Sequence, residues 1–218
     1  MVASREQPGS VVEETDRVRG IYDLMAPRYE RVIAIADRVL FDDGRRWACA
    51  GATGQVLEVA IGTGRNLPFY PPGAQLTGVD LSPKMLDRAR ARAETLARSV
   101  DLQLGDAQQL TFPDATFDTV VATLSVCSVP DDQAAVAEMA LVLRPGGRLV
   151  LLDHVASTSR PVRAVQRLLD PALVRALGDH LLRDPEIAVR RAGLIIEDLI
   201  RSRWNIVLRL AARKPSTA

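Results

Sequence analysis

Val56-Leu57-Glu58-Val59-Ala60-Ile61-Gly62-Thr63-Gly64-Arg65-Asn66 decides the reading of this 218-residue chain, because a β-rich run passes directly into a glycine turn that opens toward a helix. Glycine in such a turn lets a ligand approach the backbone. A related turn serves dinucleotide-binding proteins, but here Ala60 and Asn66 flank Gly62-Thr63-Gly64 and no third glycine completes a G-x-G-x-x-G spacing. A pyrophosphate cradle is the poorer reading.

Outward from that turn, short β-rich runs alternate with helical stretches. The runs are QVLEVA (55–60), QLTGVD (75–80), DLQLG (101–105), FDTVVATL (117–124) and RLVLLDHV (148–155). Between or after them, SPKMLDRARARAETLAR, DDQAAVAEMALVL and RPVRAVQRLLDPALVRAL carry helical spacing, with Ser82 and Asp131 as N-caps. Strands alternating with helices indicate a mostly parallel sheet, whose ligands bind at the carboxyl ends of the strands near the topological switch point. AGLIIEDLIRS and RWNIVLRLAAR close the chain as two β-like runs that can pair as an antiparallel hairpin at a sheet edge. Before the first strand, Val32, Ile33, Ala36, Val39 and Leu40 fall at helical spacing, so residues 11–50 read as a two-helix cap. The expected organisation is a flexible tail over 1–10, a single α/β domain over 11–213 and a second flexible tail over 214–218.

Composition narrows the class of function. With 47% hydrophobic and 25% charged residues the chain is an ordinary soluble globular protein, long enough to bury a core without disulfide or metal. A formal net charge of +1 offers no global field for nucleic acid. Cys49 and Cys127 form no paired motif, no apolar run suffices to span a bilayer, and the N-terminus lacks a secretory core, so a cytoplasmic protein is expected. Two isolated histidines without clustered partners point to no metal site.

Two carboxylates mark a pocket. Asp80 ends LTGVD 18 residues after Gly62, where it can accept hydrogen bonds from both hydroxyls of a ribose. Alone it fits a nicotinamide-dependent oxidoreductase equally well. Asp106, in Leu104-Gly105-Asp106-Ala107, lies at the next strand end and can meet an exocyclic adenine amine, so the pair suggests a nucleoside pocket.

Over roughly residues 20–213 the chain resembles the class I S-adenosylmethionine-dependent methyltransferases. VLEVAIGTGRN is similar to their first motif, LTGVDLSPKML to the second, GDAQQLTFPDATFD to the third with its loop, and LRPGGRLVLLDH to the strand-five motif. YDLMAPRY (22–29), NLPFYPPG, ATLSVCSV, LLDHVAS and LLDPAL resemble the branch with bacterial phosphatidylethanolamine N-methyltransferases, quinone C-methyltransferases and animal alkyl-thiol methyltransferases. The thiol enzymes match ATLSVCSV and DHVAS especially well. The resemblance implies a Rossmann-like seven-stranded, mostly parallel sheet, S-adenosyl-L-methionine as cofactor, and a small-molecule or lipid-like acceptor of thiol, amine or quinol type. It places Glu58, Gly62, Thr63, Gly64 and Asn66 beside the methionine part, Asp80, Leu81 and Met85 around ribose and adenine, and Asp106 and Ala107 at the adenine edge. Thr123 and Leu124 face the methyl donor, and Tyr22 and Tyr29 close the cap over it. Ala60 replaces the family's first glycine and adds a methyl group where backbone and ligand meet, which is expected to be tolerated at some cost in affinity.

The catalytic candidates are Tyr22, whose ring can face a sulfonium, and His154, which ends the fifth strand and can take a proton from an acceptor. Either can equally be structural, Tyr22 at a helix–loop junction and His154 as a satisfied histidine. His180 lines the acceptor pocket or caps a helix, and Cys127 reads as a small buried hydrophobe. Arg160, Arg163, Arg167, Arg175 and Arg183 spread along an apolar helical pattern that can rest on an anionic membrane, although Asp170, Asp179 and Asp184 dilute the charge. A non-catalytic cofactor-binding protein is the rival from another class. Oligomeric state is not legible.

Overall fold

A computed structural model of the chain describes residues 11–216. The expected tails at 1–10 and 217–218 lie outside the described residues, whereas Lys214 is tied down. Its backbone pairs with Gly146 and Gly147, and its Nζ donates to the carbonyls of Ala140, Leu141 and Leu143.

The cap comprises α1 (Val11–Met25), α2 (Tyr29–Ala36), a π-helical turn over Asp37–Phe41 and α3 (Gly44–Cys49), one helix more than the apolar spacing suggests. Then follow β1 (Gln55–Val59), β2 (Gln75–Asp80), α4 (Pro83–Thr95), β3 (Asp101–Leu104), β4 (Phe117–Thr123), α5 (Asp132–Val142), β5 (Leu143–His154), α6 (Arg160–Leu177), α7 (Pro185–Arg191), β6 (Ile195–Ser202) and β7 (Val207–Arg213). Local chemistry sets the boundaries. Ser82 and Asp131 cap α4 and α5 by accepting from the amides of Met85 and Ala134, and Gly178 ends α6 in the left-handed conformation. β5 begins at Leu143, ahead of the RLVLLDHV run, so LRPGG belongs to the strand, with a register irregularity against β4.

The seven strands lie in the order β3-β2-β1-β4-β5-β7-β6. Pairing is parallel from β3 to β5, and β7 runs antiparallel to both neighbours, sitting between β5 and β6. The terminal hairpin thus inserts its second strand into the sheet and leaves its first at the edge. Helices cover both faces, so the central strands are apolar on both sides. Leu57, Val59, Val120, Leu149 and Leu151 pack on one face with Met139 of α5 and Val189 of α7. Val56, Val121, Val150 and Leu152 pack on the other with Ala48 of α3 and Leu86 of α4. The order in which strands are added to the sheet reverses between the parallel neighbours β1 and β4, and the crevice at their carboxyl ends is where such a fold takes ligands. Among the described residues no helix is long and apolar enough to cross a membrane.

Candidate active site

A cleft opens at that crevice, lined by strand ends of β1, β2 and β4 and by the cap. Its floor is the turn after β1. Gly62 has φ +59°, and a Cβ there would meet nothing closer than the Ala60 carbonyl at 4.0 Å, so the backbone faces open space. Gly64, at φ +74°, serves packing instead, since a Cβ would come within 2.9 Å of Leu67 and 3.3 Å of the Ala89 backbone in α4. Ala60 holds φ +53° and Leu124 φ +53°, a conformation that costs an L-residue roughly 1–2 kcal/mol. Two of the strained positions thus lie at strand ends of the cleft.

Asp80 is buried at the end of β2 and accepts from the Gly62 amide at 2.8 Å and the Ser82 amide at 2.9 Å. Burial pushes its carboxyl up to about 6 against those hydrogen bonds. Asp106 accepts from the Gln108 amide at 2.9 Å, while the Gln108 side chain bridges to Thr15 of α1 and the Asp131 amide before α5. The cap is latched a second time where Ser82 donates to Asp23 of α1 at 2.5 Å. Tyr22 and Tyr29 line the cleft with ring centroids 6.5 Å apart and planes at 57°. Burial raises both phenols, that of Tyr29 to about 12, so each remains neutral at physiological pH.

Behind the turn lies a polar cluster. Asn66, fully buried, donates to Glu58 and to Thr123, both at 2.8 Å. Arg45 of α3 donates through Nη1 to Asn66 and Thr123 at 3.1 Å each, and through Nε to both oxygens of Asp37 at 3.0 Å. Burial pushes Glu58 up to about 7, opposed first by the Tyr70 hydroxyl nearby and then by the Asn66 amide and Arg45, and its Oε2 lies outside hydrogen-bond geometry with any described residue. Thr63 donates to Glu30 of α2, and Arg65 pairs with Glu30 and Asp37.

Of the residues expected from sequence, Tyr22, Tyr29, Gly62, Thr63, Asp80, Leu81, Met85, Asp106, Ala107, Thr123 and Leu124 line this one cleft. Glu58, Gly64 and Asn66 stand behind its wall. His154 also lies off the cleft, with Nε2 2.8 Å from Asp179 and Nδ1 buried without a partner. Burial pulls its imidazole down, but Asp179, joined by Asp153 and Asp170, outweighs this and the net shift is upward. His180 sits in a separate groove with Glu14, Arg17, Asp170 and Val174. Cys127 is buried, and its thiol lies within 4.8 Å of the ligand atoms of His154 and Asp179, a grouping that sequence spacing did not show. Sequence reading also missed Arg45, Ser125 and Ser128 in the cleft wall. An arginine in an arginine-rich chain gives no signal of its own.

A methyltransferase domain model matches residues 57–151. The chain is 45% identical over 118 residues to a phosphatidylethanolamine N-methyltransferase of Cereibacter sphaeroides, an alignment over 53% of this chain and 58% of that protein. It therefore spans little more than half the length of that relative. Against a demethylmenaquinone methyltransferase of Deinococcus radiodurans, identity is 35% over 176 residues, covering 77% of this chain and 73% of the relative. Against a thiol S-methyltransferase of Homo sapiens it is 32% over 170 residues, covering 76% and 70%. Among solved structures, a cyclase superposes with a TM-score of 0.74 at 20% identity over 93% of this chain and 97% of that one. An S-adenosylmethionine-dependent methyltransferase from Mesorhizobium loti superposes with 0.64 at 21%, over 82% and 99%. These two share the fold.

Sheet order, glycine turn and strand-end carboxylates define a Rossmann-like nucleoside-binding fold of the methyltransferase class. The chain belongs to the class I S-adenosylmethionine-dependent methyltransferases, in the branch that these three relatives represent. S-adenosylmethionine is the cofactor this membership implies, and the open bay at Gly62 beside the Asp80 carboxylate fits it.

Proposed function

We propose that the chain transfers the methyl group of S-adenosylmethionine to a small-molecule or lipid-like acceptor bearing a thiol, amine or quinol. The observation that carries this reading is a single cleft in which Asp80, Asp106 and the open face of Gly62 converge at the β1–β4 switch point under two tyrosines. When bound, the cofactor supplies an electrophilic methyl group on a sulfonium. Asp80 would accept from the ribose hydroxyls, Asp106 would meet the adenine amine, and Leu81, Met85 and Ala107 would hold the base by apolar contact. The Tyr22 ring would lie against the sulfonium, a contact worth about 2 kcal/mol when desolvated. Glu58 and Asn66 would act from behind, by fixing Thr123 and Arg45. The chain's main task is to hold donor and acceptor about 3 Å apart and to keep water out, which the latched α1–α2 cap serves. His154, expected as the base, lies off this cleft with Nε2 on Asp179 and Nδ1 buried, so it is assigned no proton transfer from the acceptor.

Acceptor delivery from a membrane is supported by α6, which exposes Val165, Leu168 and Leu169 beside Arg160, Arg163 and Arg167. Flotation with anionic vesicles that is lost in Leu168→Glu would support it, and unchanged flotation would refute it.

The test of function incubates the protein with S-adenosylmethionine and, separately, dithiothreitol, phosphatidylethanolamine vesicles and demethylmenaquinol, with products read by mass. Gain of one methyl group on any of them supports an enzyme and assigns the acceptor. Tight binding of the cofactor without turnover on any acceptor favours a regulatory binder.

A further inference from the structure

Three side chains from distant stretches of the chain meet: Cys127 in the loop after β4, His154 at the end of β5 and Asp179 in the loop after α6. The thiol, a ring nitrogen and a carboxylate oxygen all lie within 4.8 Å of one another, with His154 Nε2 2.8 Å from Asp179 Oδ1. Their backbones are held in place. Asp153, 1% exposed, accepts from the amides of Cys127 at 3.2 Å and His154 at 2.9 Å, and the Cys127 carbonyl accepts from the amide of His180, next to Asp179. The cluster's own atoms are less well served, since His154 Nδ1 is buried without a partner among the described residues. A thiol, an imidazole and a carboxylate in one place match the ligand set of zinc, whereas magnesium and calcium prefer oxygen alone. The carboxylates of Asp153 and Asp179 add a negative field that draws a cation. Ligand atoms around a tetrahedral zinc sit roughly 3–4 Å apart, so side-chain movement of about 1 Å closes the set. Cys127 is buried, but His154 and Asp179 keep 16% and 25% of their side chains exposed, which gives an ion a way in.

We propose that Cys127, His154 and Asp179 form a binding site for a divalent ion of the zinc class, with three protein ligands and a fourth position left to solvent. On binding, the thiol gives its proton to solvent, and thiolate, imidazole and carboxylate share the one dication. Asp153 is a positioning residue. Its oxygens are taken by the amides of Ser125, Cys127 and His154, so it fixes the backbone of two ligands without joining them. The ion would fasten the loop after α6 to the ends of β4 and β5, a junction that Arg183 already bridges by donating to the carbonyls of Val126 and Pro130. The site stands apart from the transfer reaction, since neither cofactor nor acceptor enters the argument for it.

Zinc titration and cobalt spectroscopy of the full chain, stripped with EDTA and free of any affinity tag, test the proposal. Zinc should bind at one ion per chain and raise the Tm, because an ion held only by the folded state stabilises it. Cobalt in its place should give a thiolate-to-cobalt charge-transfer band in the near ultraviolet. Cys127→Ala should remove that band, weaken zinc binding at least tenfold and abolish the zinc-dependent rise in Tm. Asp179→Asn should weaken zinc binding about tenfold. Cys49→Ala, at the other cysteine, should keep the band and the affinity. Should Cys127→Ala not fold, the band in Cys49→Ala decides alone, since that variant holds Cys127 as its single thiol. A chain without the band, or zinc affinity unchanged in Cys127→Ala, would overturn the site.

Discussion

A buried carboxylate without a full set of partners costs the folded chain stability, and Glu58 shows the sign of the effect. Its folded pKa of about 7 lies above the ordinary 4.5, so the folded form holds the proton more tightly than the unfolded chain. Stability from this group is fully present below about pH 4.5 and is lost as pH rises toward 7, by at most about 3 kcal/mol. Melting of ligand-free Glu58→Gln and wild type across pH 4–8 should show a Tm advantage of the variant that grows through that window, and a constant difference would contradict the account. Ala60→Gly removes left-handed strain at the cleft floor at an entropic cost of roughly 0.5–1 kcal/mol. The expected result is an unchanged or slightly raised Tm and severalfold tighter cofactor binding, whereas a destabilised variant would show that the Ala60 methyl is packed rather than strained. Asp179→Asn should lower the imidazole pKa of His154, one of two histidines, as read by NMR titration. The other groups acting on His154 are Asp153 and Asp170. An unmoved titration would mean that Asp179 does not set its basicity. Asp80 was legible in sequence because a strand-end carboxylate after a glycine turn has few other uses. Arg45 was not, and the depth of Glu58 and Asn66 behind the wall depends on tertiary packing that a motif does not encode.

At the scale of elements, α1 is tied to the strand-end region by hydrogen bonds from Ser82 to Asp23 and from Gln108 to Thr15. Asp23 accepts from the Ser82 hydroxyl, and the Lys84 amide approaches it at 3.4 Å at the positive N-terminus of α4. Asp23→Ala should therefore free α1 and weaken cofactor binding about five- to tenfold, since a hydrogen bond to a charged group contributes roughly 1.5 kcal/mol. Hydrogen exchange should accelerate in α1 and leave β1 and β4 unchanged, and uniform acceleration would point to global destabilisation. Ser82 and Asp131 were readable as caps because each is a short polar acceptor just before an apolar period. The helix α7 escaped notice, since its seven residues are too few for a period to show, although Asp184 and Pro185 form the N-cap and first position a helix favours. The π turn over Asp37–Phe41 has no sequence signal either, yet it places Asp37 against Arg45.

For the whole molecule, the alternation of strands and helices foretold a doubly wound sheet, and the terminal hairpin was expected at an edge. That β7 enters between β5 and β6 follows from tertiary pairing: its buried Leu208 and Leu210 pack in the same core as Leu149 and Leu151 of β5, whereas β6 is at most half-buried over much of its length. Cofactor recognition at the switch point is the claim on which the rest depends. Calorimetric titration of the intact protein with S-adenosylmethionine and, separately, with NAD, repeated on Asp80→Ala, tests it most directly. The account predicts one site for S-adenosylmethionine, a loss of at least tenfold in affinity in the variant, and no binding of NAD. Binding of NAD, or S-adenosylmethionine affinity unchanged in Asp80→Ala, would contradict it.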